Sequence, residues 1–171
     1  HTHEVIDSLE NHPQRPSDPS HEGSHGSKQP RTADSTEVDA AAQRAGLQSL
    51  IDEEEARLEA PGFTGDNLLA EPHRPLTPET MRLLAGLLSN LLAELYANIA
   101  KHAIGEWYAI CVTFDTDAIH VSASDTITPD DTRLGLDRYQ TIIETHVGTF
   151  QTHTEQAHWQ LEAGIPIDGG R

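Results

Sequence analysis

From Leu83 to Ala103 the chain reads LLAGLLSNLLAELYANIAKHA, with apolar positions at helical spacing. At ~100° per residue, Leu84, Leu88, Leu91 and Leu95 share one stripe, which Asn98 and His102 continue. The spacing predicts a helix whose leucine seam ends in polar side chains, with Lys101 on the same side and Glu94 at its margin. Buried amide and imidazole groups need hydrogen-bond partners, supplied either by the fold or by a ligand. A plainer reading also holds, because helices commonly finish in Asn, Lys and His, where cations suit the negative end of the dipole. Periodicity alone leaves both open.

The rest of the chain alternates between the two periods. Between Val38 and Ala60, Leu47, Leu50, Ile51 and Leu58 give a helix its apolar side, and the charge run Asp52 to Glu55 reads as a solvated face. Pro61-Gly62 ends that helix, Phe63 to Leu69 reads as a short strand, and Glu71 to Pro78 is a proline-rich loop. Thr77 followed by Pro78, with Glu79 in the first turn, marks the start of the leucine helix. After Gly105 the period becomes two: Tyr108, Ile110, Val112 and Phe114 alternate with Trp107, Ala109, Cys111 and Thr113. A turn at Asp115-Thr116-Asp117 leads into an antiparallel strand in which Ile119, Val121 and Ala123 alternate with outward His120, Ser122 and Ser124. Asp125 to Thr132 reads as a polar loop and Leu134 to Val147 as a helix. Thr149 to Thr154 and His158 to Pro166 read as strands joined at Glu155-Gln156-Ala157. Helices segregated from hairpins in this order predict an α+β fold, a two-layer sandwich.

Composition changes the picture mainly at the N-terminus. The chain has 171 residues and only 36% hydrophobic content, low for a compact domain of that length. The shortfall is local, since Asn11 to Ser35 contains no large apolar residue and cannot bury enough surface to offset its ordering entropy. The layout read from this is a remnant of a preceding helix over 1–10 (with EVIDSL at 4–9), a disordered linker over 11–36, a domain over 37–167 and a tail over 168–171. The histidines of the first two segments lack a ligand spacing. A net charge of -17 excludes nucleic acid and an anionic membrane surface as the main partner. The single cysteine, Cys111, excludes an internal disulfide. No stretch is read as approaching the ~20 apolar residues that span a bilayer, and no secretory signal is visible. The expectation is a cytoplasmic domain, compatible with its being a piece of a longer membrane-anchored protein.

The run Glu94-Leu-Tyr-Ala-Asn98-Ile-Ala-Lys101-His102 resembles the N-box of the GHKL ATP-binding fold, which histidine protein kinases carry as E-x-x-x-N-x-x-K/R-H. Three further segments agree in order: Ile119 to Asp125, similar to the strand whose final Asp receives the adenine amino group; Leu134-Gly135-Leu136, similar to the turn that opens the helix after the nucleotide lid; and His146 to Phe150, similar to the segment entering the last hairpin. The resemblance covers Leu47 to Ile167 and is greatest to the catalytic domains of sensor kinases paired with LuxR-type response regulators. It implies a Bergerat-type sandwich with a mixed, mostly antiparallel sheet, and phosphoryl transfer from ATP to a histidine on a dimerisation helix of the same protein, a homodimer. By the same resemblance Asn98 holds Mg2+, Lys101 and His102 face the phosphates, Asp125 selects adenine, Gly135 lets helix-terminal amides approach phosphate, and Glu94 is the general base in water-attacking relatives.

The departures imply an alternative. Ile127 and Pro129 stand where the kinases have the glycines of D-x-G-x-G, and Arg133 replaces a glycine of the second box. A β-branched residue takes positive φ badly and keeps backbone away from a base. The chain therefore reads either as an ATP-using kinase domain or as a degenerate GHKL domain that no longer binds ATP and acts as a regulatory or protein-interaction module.

Overall fold

In the computed structural model, which describes residues 33–128, 131, 133 and 135–167, Pro78–His102 runs as one helix of 25 residues. It comprises α2 (Pro78–Leu83), a π-turn over Leu84–Leu88 and α3 (Ser89–His102). Thr77 caps its start by accepting a hydrogen bond from the Thr80 N–H at 3.2 Å, with Pro78 at the first position. Leu84, Leu88, Leu91, Leu95 and Asn98 are all buried, so the stripe read from the sequence is the core stripe, and the π-turn does not rotate it away. By length and composition this helix is apolar enough to cross a membrane, which corrects the expectation that no stretch approaches that limit. Its leucines are instead spent on the core between α1 and the sheet.

Helix α1 (Ala33–Glu59) starts before Val38, so residues 33–36, read from sequence as the end of a linker, are helical. The expected helix remnant, the linker up to residue 32 and the tail 168–171 lie outside the described residues. At the other end Gly62 takes φ 102°, its N–H reaching Glu59 O at 2.9 Å while the Phe63 N–H reaches Leu58 O at 3.0 Å. These two bonds satisfy carbonyls of the last turn and direct the chain into β1 (Thr64–Leu69).

The remaining elements are β2 (Ala103–Phe114), β3 (Ala118–Ile127), α4 (Asp137–Thr145), β4 (Thr149–Glu155) and β5 (His158–Pro166). They form one sheet in the order β1-β2-β3-β5-β4, with β1 parallel to β2 and every other pair antiparallel. Tyr108 to Phe114, Ile119 to Ile127 and Trp159 to Ile165 each bury alternate residues beneath the helices, giving the two-layer α+β sandwich. The β4–β5 turn carries φ 49° at Gln156 and φ 67° at Ala157, the left-handed pair that a two-residue hairpin demands, here without glycine.

Boundaries of β2, β3 and α4 also differ from the sequence reading, β2 starting at Ala103 rather than after Gly105. Asp125, Thr126 and Ile127 belong to β3 rather than to a loop, because β5 extends alongside and pairs Asp125 with Trp159 and Thr126 with His158. Ile127 is fully buried, and its N–H donates to Ala157 O at 2.8 Å, so a β-branched residue there serves the strand. Helix α4 is shorter than the 134–147 expected, bracketed by left-handed φ at Gly135 and Val147.

A polar triplet locks the leucine helix to the parallel edge of the sheet. The Tyr96 hydroxyl donates to Asn67 Oδ1 at 2.6 Å, Asn67 Nδ2 donates to the Tyr108 hydroxyl at 3.3 Å, and the two rings meet edge to face at 6.1 Å. Burial pushes both phenols above their ordinary titration range, so Tyr96 stays a neutral donor and Tyr108 a neutral acceptor. Replacing Tyr96 by Phe removes the donor and leaves the Asn67 oxygen bare. The expected loss is about 1–3 kcal/mol in urea unfolding with an unchanged slope.

Candidate functional site at the end of the leucine helix

Asn98 sits in the last turns of α3 with its amide turned back along the helix. Its Nδ2 donates to the Glu94 carbonyl at 2.8 Å and to Glu94 Oε1 at 3.2 Å. The other carboxylate oxygen of Glu94 accepts from Arg138 Nη2 at 2.9 Å, and Arg138 lies over the Tyr139 ring while Tyr139 donates to the Asn90 carbonyl at 3.0 Å. The first turn of α4 is thus strapped to α3. Gly135 holds φ 92° just before it, and a Cβ there would lie 2.7 Å from Glu94 Oε1. Glu94, Asn98 and Gly135 therefore come together. Lys101 stands apart on the exposed surface, and half-buried His102 turns its Nδ1 to Asp131 at 2.9 Å.

Asp125 belongs to a second cluster. It is fully buried on β3, flanked in register by Tyr108 and Trp159. Arg133, with its side chain 2% exposed, places one nitrogen, Nη2, 2.5 Å from each carboxylate oxygen. The guanidinium carbon lies 4.1 Å from the centre of the Trp159 ring. The contact is end-on, and the Arg133 Nε and Nη1 are buried without a hydrogen-bond partner among the described residues. Burial pushes the Asp125 carboxyl up from its ordinary value, and the guanidinium pulls in the opposite direction.

Sequence reasoning singled out Asp125 and noted Arg133 only as an absent glycine; it passed over Trp159 and Arg138. The alternation of Trp159 with Leu161, Ala163 and Ile165 marks an inward aromatic, but its adjacency to Asp125 depends on β3–β5 pairing. Among the described residues clefts open elsewhere, one of about 620 Å³ beside Arg44 and Met81 and one of about 340 Å³ beside His120 and Gly164. None of Glu94, Asn98 and Asp125 lines either. Among the described residues no three His, Cys, Asp or Glu side chains gather as a metal cluster.

No protein-family model matches the chain, and no curated protein matches its sequence. Solved structures do. The chain is similar to the Acinetobacter baumannii histidine kinase AdeS, with TM-score 0.53 and 14% identity over 77% of each chain. It is similar to the histidine kinase domain of the Erythrobacter litoralis EL346 blue-light activated kinase, with TM-score 0.56 and 14% identity over 73% of this chain and 61% of that one. Full-length ShkA, solved in complex with AMPPNP, matches with TM-score 0.55 and 14% identity over 72% of this chain and 30% of that one. Identities this low carry the fold, and the chain has the fold of the histidine kinase domains, an α/β sandwich of the GHKL type.

Proposed function

We propose that this chain is a sensor-kinase GHKL domain whose base subsite is filled by its own Arg133, and that it works as a regulatory or protein-interaction module without turning over ATP. The observation that carries the reading is the Asp125 carboxylate, fully buried with both oxygens on Arg133. An adenine amino group needs one of those oxygens, and an adenine ring needs the volume beside Trp159 that the guanidinium fills. As folded, the residues do not fit the base. Ile127, in place of a glycine, is committed to the strand core and offers no close backbone approach. The module would act beside the dimerisation helices of a two-component sensor kinase of the subgroup paired with LuxR-type regulators.

One observation favours the second reading, an ATP-supplying kinase domain. Asn98 binds its own helix through nitrogen, which leaves its carbonyl oxygen as the group to face a cation, while Gly135 keeps the turn close to Glu94. In that reading Lys101 and His102 meet the phosphates and Asp125 meets adenine once Arg133 has moved. Calorimetry with millimolar Mg-ATP separates the two. The expected result is no heat of binding with the wild-type chain, whereas heat that disappears in both Asn98→Ala and Asp125→Ala would establish the kinase reading.

A further inference from the structure

The Arg133 contact is tight yet incompletely satisfied. A guanidinium has five N–H donors in a planar fork that matches a carboxylate two-on-two, but here Nη2 alone spans both oxygens of Asp125 while Nε and Nη1 are buried and meet no acceptor among the described residues. The receptor half is complete without Arg133: a dry carboxylate on β3 and the face of an indole on the neighbouring β5, held by strand pairing. A carboxylate beside an aromatic face selects a flat cation over a neutral ring, because the charge is met from the edge by the carboxylate and from the face by the ring quadrupole.

We infer that Asp125 and Trp159 form a guanidinium-binding box, occupied in cis by Arg133, and that its ligand class is the arginine side chain of a partner polypeptide presented with both fork nitrogens free to pair. The inference rests on the reading that this subsite no longer takes a base, and it assigns that site a partner chemistry. A partner arginine approaching along the fork makes two parallel bonds where Arg133 makes one branched bond, so displacement exchanges a poorly satisfied occupant for a better one. Asp131, turned to His102, His158, paired in register with Thr126, and Tyr108, paired in register with Asp125, are the other titratable groups beside the carboxylate.

The test uses Arg133→Ala and propylguanidinium as the probe, with Trp107→Phe as background so that Trp159 alone reports by fluorescence. The expected result is saturable binding at millimolar or lower propylguanidinium, weakened at least tenfold by adding Asp125→Asn, and absent in Arg133→Met, whose side chain refills the box. If Arg133→Ala does not fold alone, the probe should restore its far-UV circular dichroism in the same concentration range. Failure to bind or to restore folding overturns the box. Equal binding of propylguanidinium in the Asp125→Asn background also overturns it. Mg-ATP binding by the wild-type chain overturns the functional reading instead, and it leaves a distinct signature because it requires no substitution at Arg133.

Discussion

Arg133→Met lowers the stability of the folded chain by about 3–5 kcal/mol at pH 7, because it leaves the fully buried Asp125 carboxylate without its guanidinium. The double variant Asp125→Asn/Arg133→Met recovers most of the loss, since a neutral amide beside a neutral thioether carries no buried charge. The pH dependence has a definite sign. Burial already raises the Asp125 carboxyl, and removing the opposing guanidinium raises it further. A carboxyl whose folded pKa lies above its unfolded value binds its proton more tightly in the fold, so the single variant regains stability as the pH falls below that folded value and loses it as the pH rises through it. Urea unfolding of the wild-type chain and the two variants at pH 5 and pH 7 reads this out directly. A single-variant loss that is small and independent of pH would show that the pair does not sit in a dry site.

Gly65→Ala is expected to cost about 3 kcal/mol, at the top of the range for overpacking a core, with a fall in Tm of about 10 °C. Gly65 pairs with Tyr108 across the parallel β1–β2 ladder, and a Cβ at Gly65 would lie 2.0 Å from the Tyr108 ring carbon Cζ. The ring has no free direction to retreat, being fully buried and engaged edge-on with Tyr96 and through its hydroxyl with Asn67. Either the ring turns and breaks that triplet or β1 lifts off the sheet edge. Combining Gly65→Ala with Tyr108→Leu should recover part of the loss in thermal unfolding, because the clash is with the ring. No recovery would place the strain in the backbone of β1.

The leucine stripe, the Thr77 cap, the Gly62 stop and the alternating strands were legible in the sequence because each follows from spacing within one element. Glu94, Asn98 and Gly135 became candidate site residues through the resemblance to the N-box and its glycine turn, and Glu94 and Asn98 meet because they are four positions apart on a helix. The boundary of β3 was missed for a different reason. Asp125-Thr126-Ile127 has the composition of a loop, and it becomes strand only because Trp159 and His158 of β5 lie alongside to complete its ladder. The π-turn in the leucine helix likewise has no proline or polar insertion to announce it.

Sequence by itself determined the layers of this protein and the helix at its centre, since periodicity decides which side chains a helix or strand must bury. Tertiary structure alone decided what the Asp125 carboxylate faces. Trp159 reaches Asp125 and the guanidinium across a strand pair that skips from β3 to β5, so the closing of the aromatic over this ion pair depends on sheet order rather than on spacing along the chain.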